Sequence, residues 1–410
     1  MGPPADAAGA FGAGFLLEKD YKMDCQKIVE KYGAYQIEMR RHFHAHPEVS
    51  TKEFETSKRI REELTKFGIE WRPCGMETGT LATIHGRGPG RTILIRGDID
   101  GLTVTEETGC SYASQNPGVM HACGHDCHIS MLLTAARILN DLRGEFDGTV
   151  KLAFQPAEET GQGAPAMIAE GALEGVDACF GMHVWSDVPS GQVSVQPGPR
   201  MAGTDMFTIT VEGHGGHGAQ PHHCVDATVT AAAIVSNLQT MVSRELSPVE
   251  TAVVTVGTLN SGTRWNVVSG HAELTGTTRY FSPEVGKALP GILERIATKT
   301  AEAFRASAKV TNGIIVPPTV NDPGMTALAQ GAVKKIFGDN GLNEQPPTMG
   351  GEDFSNFMNR VPGCIALLGV RNEACDAVYG QHSNKYQVDE SALIKGAMLH
   401  AQVALDFLAK

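Results

Sequence analysis

The chain has 410 residues, of which 41% are hydrophobic and 20% charged, ordinary values for a globular protein and a length that suits two domains better than one core. Its 34 basic side chains stand against 46 acidic ones, a net charge of −12, opposite in sign to what binding a phosphate backbone requires. No apolar run approaches the roughly 20 residues of a membrane span, so nucleic-acid binding and membrane insertion are both set aside.

The first 20 residues are rich in Gly, Ala and Pro and have no basic stretch before the apolar Phe11 to Leu17. They are expected to form a disordered leader rather than a signal peptide. Nine cysteines, an odd number without framework spacing, favour reduced thiols and a cytoplasmic location. Thr51 to Phe67 places Phe54, Ile60, Leu64 and Phe67 on one helical face, with Gly68 as a stop. Thr92 to Ile95 is a short apolar strand ending at Arg96-Gly-Asp. Asp126 to Leu142 has helical spacing. The strands Val150 to Phe154 and Val176 to Met182 end at Gln155-Pro-Ala-Glu-Glu and at His183.

A second unit begins near Met201. Its order is a strand through Phe207, Ile209 and Val211, a helix over Asp226 to Val242, strands over Ala252 to Val256 and His271 to Thr278, a helix over Pro283 to Phe304 and a strand over Lys309 to Val316. This is a split βαβ pattern. The expected architecture is α/β: a mainly parallel-sheet catalytic domain over 21–198 and 317–410, with a smaller α+β domain, 199–316, inserted as a lid and dimerisation unit. Pro197-Gly-Pro199 and Pro317-Pro318 are the expected hinges.

The chemistry concentrates in Met120-His-Ala-Cys-Gly-His-Asp-Cys-His. Gly124 permits a tight turn, so Cys123 and His125 can converge on a divalent ion. Glu159, His183 and His382 can complete a two-ion site. One ion would be held by Cys123, His125 and His183, the other by Cys123, Glu159 and His382. Two ions roughly 3.5 to 4 Å apart activate water and polarise a carbonyl. The adjacent Glu158 is then free to act as general base and proton donor. His121 and His128 are weaker candidates, and Asp126 either orients a ligand from behind or favours the helix N-terminus. Thiolate ligation leans toward zinc by softness, but the ligand set leaves Zn, Mn, Co and Ni open.

The stretches Arg96-Gly-Asp-Ile-Asp, Met120-His-Ala-Cys-Gly-His-Asp, Gln155-Pro-Ala-Glu-Glu, Gly181-Met-His and Gly351-Glu-Asp-Phe resemble the M20 metallopeptidase family in its amidohydrolase branch, in order from about His42 to Tyr386. That branch includes aminoacylases, hippurate hydrolases and plant auxin-conjugate hydrolases. The resemblance implies a dinuclear amide hydrolase of N-acyl amino acids with the same five ligands and Glu158 as base. It also implies that manganese is common. It puts Asp98 behind the ligands, where other branches have a metal-binding histidine nearby. His217 matches a family histidine that reaches a neighbouring active site in the dimer and stabilises an oxyanion; a glycine-rich turn with an exposed histidine would read the same. Asn266 and Arg279 match positions that bind the substrate carboxylate or line its pocket. Departures from the family pattern, Asp100-Gly-Leu-Thr and Asn266-Val-Val-Ser among them, touch no expected ligand and bear on substrate preference. A dipeptidase or carboxypeptidase of the same architecture, and a non-catalytic metal-binding homologue, are the competing expectations, and a homodimer or higher homo-oligomer is the expected assembly.

Overall fold

The structure, a computed structural model, describes residue 21 and residues 23–409; the expected leader lies outside the described residues. Four parallel strands form the centre of an eight-stranded sheet: in spatial order Thr149–Gln155, Thr92–Asp98, Ala178–Pro189 and Gly363–Arg371. Thr80–His85 and Glu70–Pro73 extend one side with antiparallel pairing. The short strands Val193–Ser194 and Leu342–Asn343 close the other. The sheet is therefore mixed, with its parallel part in the middle.

Alternation along the strands explains why both faces are covered. Ile93, Ile95, Phe180 and Met182 point into one cluster with the helices Cys25–Ala45, His125–Asp141, Pro323–Phe337 and Leu393–Leu408. Their neighbours Leu94 and Cys179 point to the other face and pack with Ala164, Met167, Phe354 and Phe357. The His125–Asp141 helix is buried over nearly its whole length, and it begins at the C-terminal edge of the parallel strands.

A separate four-stranded antiparallel sheet has the order Ala252–Ser261, His271–Tyr280, Gly203–Glu212, Ser307–Val316. Helices Ala227–Leu238 and Pro283–Ala303 cover one face through Phe207, Ile209, Val211, Ile234 and Leu293. Asp226 and Ser282 cap these helices by accepting from the amides of Val229 and Val285. The opposite face is open, leaving Met206 52% exposed. Between the two sheets, Gly198–Met201 pairs with Thr319–Asn321, a narrow ribbon flanked by the Pro-containing segments.

Two element ends differ from the sequence expectation. The helix expected from Thr51 starts at Phe54, because the Glu53 carboxylate is occupied with the amides of Thr51 and Ala157. The helix expected to reach Val242 stops at Leu238, and a wider turn follows over Met241–Glu245. Among the described residues no helix is long and apolar enough to cross a membrane.

Candidate metal centre and active-site cleft

The candidate donors come from one helix start, the loop after one strand, a second strand and a loop near the C-terminal helix. Gly124, at φ 87°, precedes the His125–Asp141 helix, and a Cβ there would lie 2.5 Å from Val184 Cγ2; only glycine brings Cys123 and His125 round this corner. Glu158 and Glu159 follow the Thr149–Gln155 strand through Ala157, itself left-handed at φ 51°. The Ala157 amide is held by Glu53 at 2.9 Å and the Glu159 amide by Asp100 at 3.1 Å. His183 lies on the Ala178–Pro189 strand, past its last pairing with Thr92–Asp98. His382, at φ 67°, is fixed by its amide, which donates to the Ala122 carbonyl at 2.8 Å.

These residues meet. Cys123 Sγ is 3.4 Å from His183 Nε2, and Glu159 Oε1 is 3.6 Å from His382 Nε2 and 3.9 Å from His125 Nε2. The donor atoms of Cys123, His125 and His183 lie within 4.8 Å of one another, as do those of Cys123, Glu159 and His382.

Two observations test whether this group fits divalent ions. His125 Nδ1–H donates to Asp100 Oδ1 at 3.2 Å and His183 Nδ1–H to the Val184 carbonyl at 2.6 Å, so both rings turn a bare Nε2 toward the thiol. His125 Nε2 and Glu159 Oε1 are moreover buried without any hydrogen-bond partner, a costly state for polar atoms unless something else binds them. The residues fit the two ions.

Behind the donors sits a buried charge cluster. Arg96, 1% exposed, reaches Asp98 at 2.7 Å, Glu352 at 2.8 Å, Asp353 at 2.9 Å and the Gln155 side-chain oxygen at 2.9 Å. Asp98 also accepts from His128 Nδ1, and His128 Nε2 accepts from the Val184 amide at 2.9 Å. Both ring nitrogens of His128 are thus committed, so it supports the centre without a free donor. Asp126 accepts from His44 Nδ1 at 2.7 Å and pairs with Arg40 at 3.0 Å, so it is engaged away from the candidate ligands. His121 is fully enclosed with neither ring nitrogen bonded.

Glu158 lies beside this group, its Oε1 accepting from the Asp353 amide at 3.4 Å. Burial, and then the carboxylates of Glu352, Asp353 and Glu159, push its pKa well above the usual carboxyl range. Burial likewise raises Asp353 to about 7 against the pull of Arg96, with Glu352 adding to the rise. A carboxyl made basic by burial and like charge, next to the candidate metal donors, is equipped to take up and return a proton.

Glu158, Cys123, His183 and His382 line a cleft of about 350 Å³ whose opposite wall comes from the second sheet, through Thr204, Arg279, Ile315 and Val316. Arg279 therefore joins the centre. His217 and Asn266 do not line it; they sit together on a ribbon where Gly216–His217 pairs with Val267–Val268 and the Gly218 amide donates to the Asn266 carbonyl at 2.9 Å. His217 is exposed, and its Nδ1 accepts from the Ala219 amide at 3.0 Å, which places the proton of the neutral ring on Nε2. Sequence reasoning did not assign roles to Asp100, Glu352 and Asp353, although two of the quoted motifs contain them; their acidic side chains beside Arg96 in sequence or motif were the available signal.

An open parallel sheet that gathers thiol, imidazole and carboxylate donors beside a basic carboxyl at its strand exits defines a metal-dependent hydrolase. The model of peptidase family M20/M25/M40 matches residues 94–406, and the chain belongs to that family, whose members hydrolyse amide bonds. Over 361 residues it is 38% identical to the N-acetyl-L-cysteine deacetylase of Bacillus subtilis, covering 88% of this chain and 85% of that one. It is equally identical, 38% over 399 residues, to thermostable carboxypeptidase 1 of Saccharolobus solfataricus, covering 96% and 100%. The crystal structure of the Bacillus subtilis YXEP protein, described as a dinuclear metal binding peptidase from M20 family, superposes with a TM-score of 0.82 at 34% identity over 92% of this chain and 99% of that one.

Proposed function

We propose that this protein is a dinuclear metal-dependent amidohydrolase that releases amino acids from their N-acyl derivatives. The observation that carries the reading is the pair of unpartnered buried donors, His125 Nε2 and Glu159 Oε1, beside a cleft lined by Cys123, Glu158, Glu159, His183 and His382. Cys123, His125 and His183 would hold one ion and Cys123, Glu159 and His382 the other, with zinc or manganese as the first choices and cobalt or nickel as substitutes. When bound, the ions supply Lewis acidity and lower the pKa of water.

The chain's own groups do the rest. Glu158 takes a proton from the attacking water as its oxygen bonds to the carbonyl carbon, then delivers that proton to the amide nitrogen as the C–N bond breaks. Asp98, Asp100 and Arg96 hold the donors in position. Arg279 and Asn266 receive the substrate carboxylate, and Arg279 is already on the cleft wall. His217, through its Nε2–H, donates to the developing oxyanion of a partner subunit's site, which makes the homodimer the active form.

This reading divides the chain into a catalytic domain, 21–198 with 317–410, and an inserted domain, 199–316, that moves on the Gly198–Met201 and Thr319–Asn321 ribbon. Because the cleft has one wall from each sheet, such movement sets its width and excludes water on closing. The free thiols of the described residues suit a reducing cytoplasm.

The 38% identity to a carboxypeptidase over nearly the full chain favours peptide cleavage as the second reading. One experiment separates them: amine release from N-acetyl, N-benzoyl and long-chain acyl amino acids and from unblocked dipeptides, using chelated protein with each divalent metal restored. Metal-dependent cleavage of blocked substrates supports the proposal; cleavage of peptides alone replaces it with the second reading. No cleavage by metal-loaded protein leaves the non-catalytic homologue.

A further inference from the structure

A second group of donors lies outside the cleft. Residues 103–119 form a long irregular segment whose ends are bridged by Leu102 and Met120. It folds back over the end of the Cys25–Ala45 helix, with the Gln115 amide donating to the Ala45 carbonyl at 2.8 Å and the Asn116 side chain to the Pro47 carbonyl at 2.7 Å. Where it crosses the helix, Glu106 and Cys110 meet His44. His44 Nε2 is 3.2 Å from Glu106 Oε1, and Cys110 Sγ is 3.8 Å from the same oxygen; all three donor atoms lie within 4.8 Å of one another.

We propose that His44, Glu106 and Cys110 form a third divalent-metal site, of zinc type, that staples this segment to the helix. In a tetrahedron with bonds of about 2.0–2.1 Å to nitrogen and oxygen and about 2.3 Å to sulfur, neighbouring donors stand about 3.3–3.8 Å apart. The measured separations are already close to that range.

The surroundings supply an independent reason. His44 Nδ1 donates to Asp126 at 2.7 Å, the carboxylate–histidine arrangement that fixes a ligand ring with Nε2 forward. Asp126 is in turn neutralised by Arg40 at 3.0 Å. Glu106 is a formed ligand on its other side too, its Oε2 accepting from the Ser114 amide at 2.6 Å. Thr108 donates to Oε1 and lies 3.4 Å from Cys110 Sγ, so its hydroxyl would turn to the outer face when an ion enters.

Burial and Arg40 oppose a charge on His44, but Asp126 raises the ring to about 10, so the cluster already carries one positive charge, which an incoming ion would replace. Burial opposes ionisation of Glu106 and Cys110, yet hydrogen bonds from His44 and Thr108 bring Glu106 down to about 2 and lower the Cys110 thiol. With Glu106 and Cys110 ionised and the His44 ring neutral, the donors would balance a divalent charge, while the half-buried Cys110 side leaves a fourth position for water. Ion binding displaces the His44 Nε2 proton and the Cys110 proton, so uptake releases protons. The ion is structural: it ties the segment to Asp126, next in sequence to His125, and takes no part in the reaction.

The test compares the full chain with C110S and E106Q, each chelated, reloaded with Zn²⁺ and freed of loose metal. Zinc per chain is measured by mass spectrometry, and alkylation of Cys110 is followed by peptide mapping with the exposed Cys375 as internal reference. The expected result is one zinc fewer per chain in both variants, with Zn²⁺ slowing Cys110 alkylation in the parent and not in E106Q. Equal zinc content in all three proteins overturns the proposal, as does Cys110 alkylation indifferent to zinc. An additional zinc that persists in E106Q is adventitious binding and also overturns it. C123S separates this site from the cleft: its Cys110-dependent zinc remains even where the cleft ions are lost, so either reading can fail alone.

Discussion

His183 and His217 are both expected site residues, and they sit in opposite circumstances. His183, 5% exposed, is enclosed by the large sheet, with Nδ1 bonded and Nε2 aimed at Cys123. His217 stands exposed on a ribbon with its Nδ1 accepting from the Ala219 amide, near Trp265, which is 90% exposed. The large sheet thus completes its half of the site within one chain. The small sheet brings Arg279 to the cleft wall, whereas the strand that carries His217 pairs only with Val267–Val268 among the described residues, so one histidine is held by its surroundings and the other is open to them.

The sharpest way to break the comparison is Glu158→Gln. It should retain the metal content of the parent and lose about 10²–10⁴-fold in kcat; turnover near the parental rate would remove Glu158 from the proton path. Arg96→Ala tests the rigidity of the enclosed half. It leaves Asp98, Glu352 and Asp353 buried without their common cation, and denaturant unfolding should show a loss of about 3–5 kcal/mol. A small loss would mean that water already screens this cluster.

His217→Ala tests the other half. It should lower kcat by about 10²-fold, the range for one oxyanion donor, without changing unfolding stability. Mixing His217→Ala subunits with Glu158→Gln subunits should restore activity, because each mixed dimer then has one site with both groups intact; no recovery would show that His217 acts within its own chain or not at all. Gly124→Ala places a Cβ against Val184 and Tyr386 at φ 87° and should cost about 1–3 kcal/mol, with metal affinity falling as Cys123 shifts. Trp265→Ala lies at the exposed extreme and should change stability by less than about 0.5 kcal/mol, whatever it does to substrate preference.

The strand exits were legible because short apolar runs such as Thr92 to Ile95 stop at polar motifs, and the structure puts Asp98 and Gln155 at those ends. The split βαβ order was legible for the same reason: Phe207, Ile209 and Val211 alternate cleanly on a sheet with one covered face. The Gly363–Arg371 strand was not. Eight of its nine residues are buried, and a run buried on both faces carries no alternation to distinguish it from a helix. The Cys25–Ala45 helix was hidden differently, since its buried face includes Gln36, Arg40 and His44, polar residues satisfied only by distant partners. The donors of the cleft could be named from residue type, but the role of Asp100 could not. Its two oxygens serve His125 and Glu159, a convergence of three segments that only the folded chain creates.

Ala157 has a bearing on how this site could be altered. A buried alanine at φ 51° carries a conformational penalty of about 1–2 kcal/mol, and its carbonyl accepts from the amides of Gln162 and Gly163 and the hydroxyl of Thr160. Glycine there would relieve the penalty, but it would also widen the torsions open to the two glutamates that follow. Selection for heat resistance and selection for turnover therefore pull this one position in opposite directions, and a thermostability screen blind to activity should find it early.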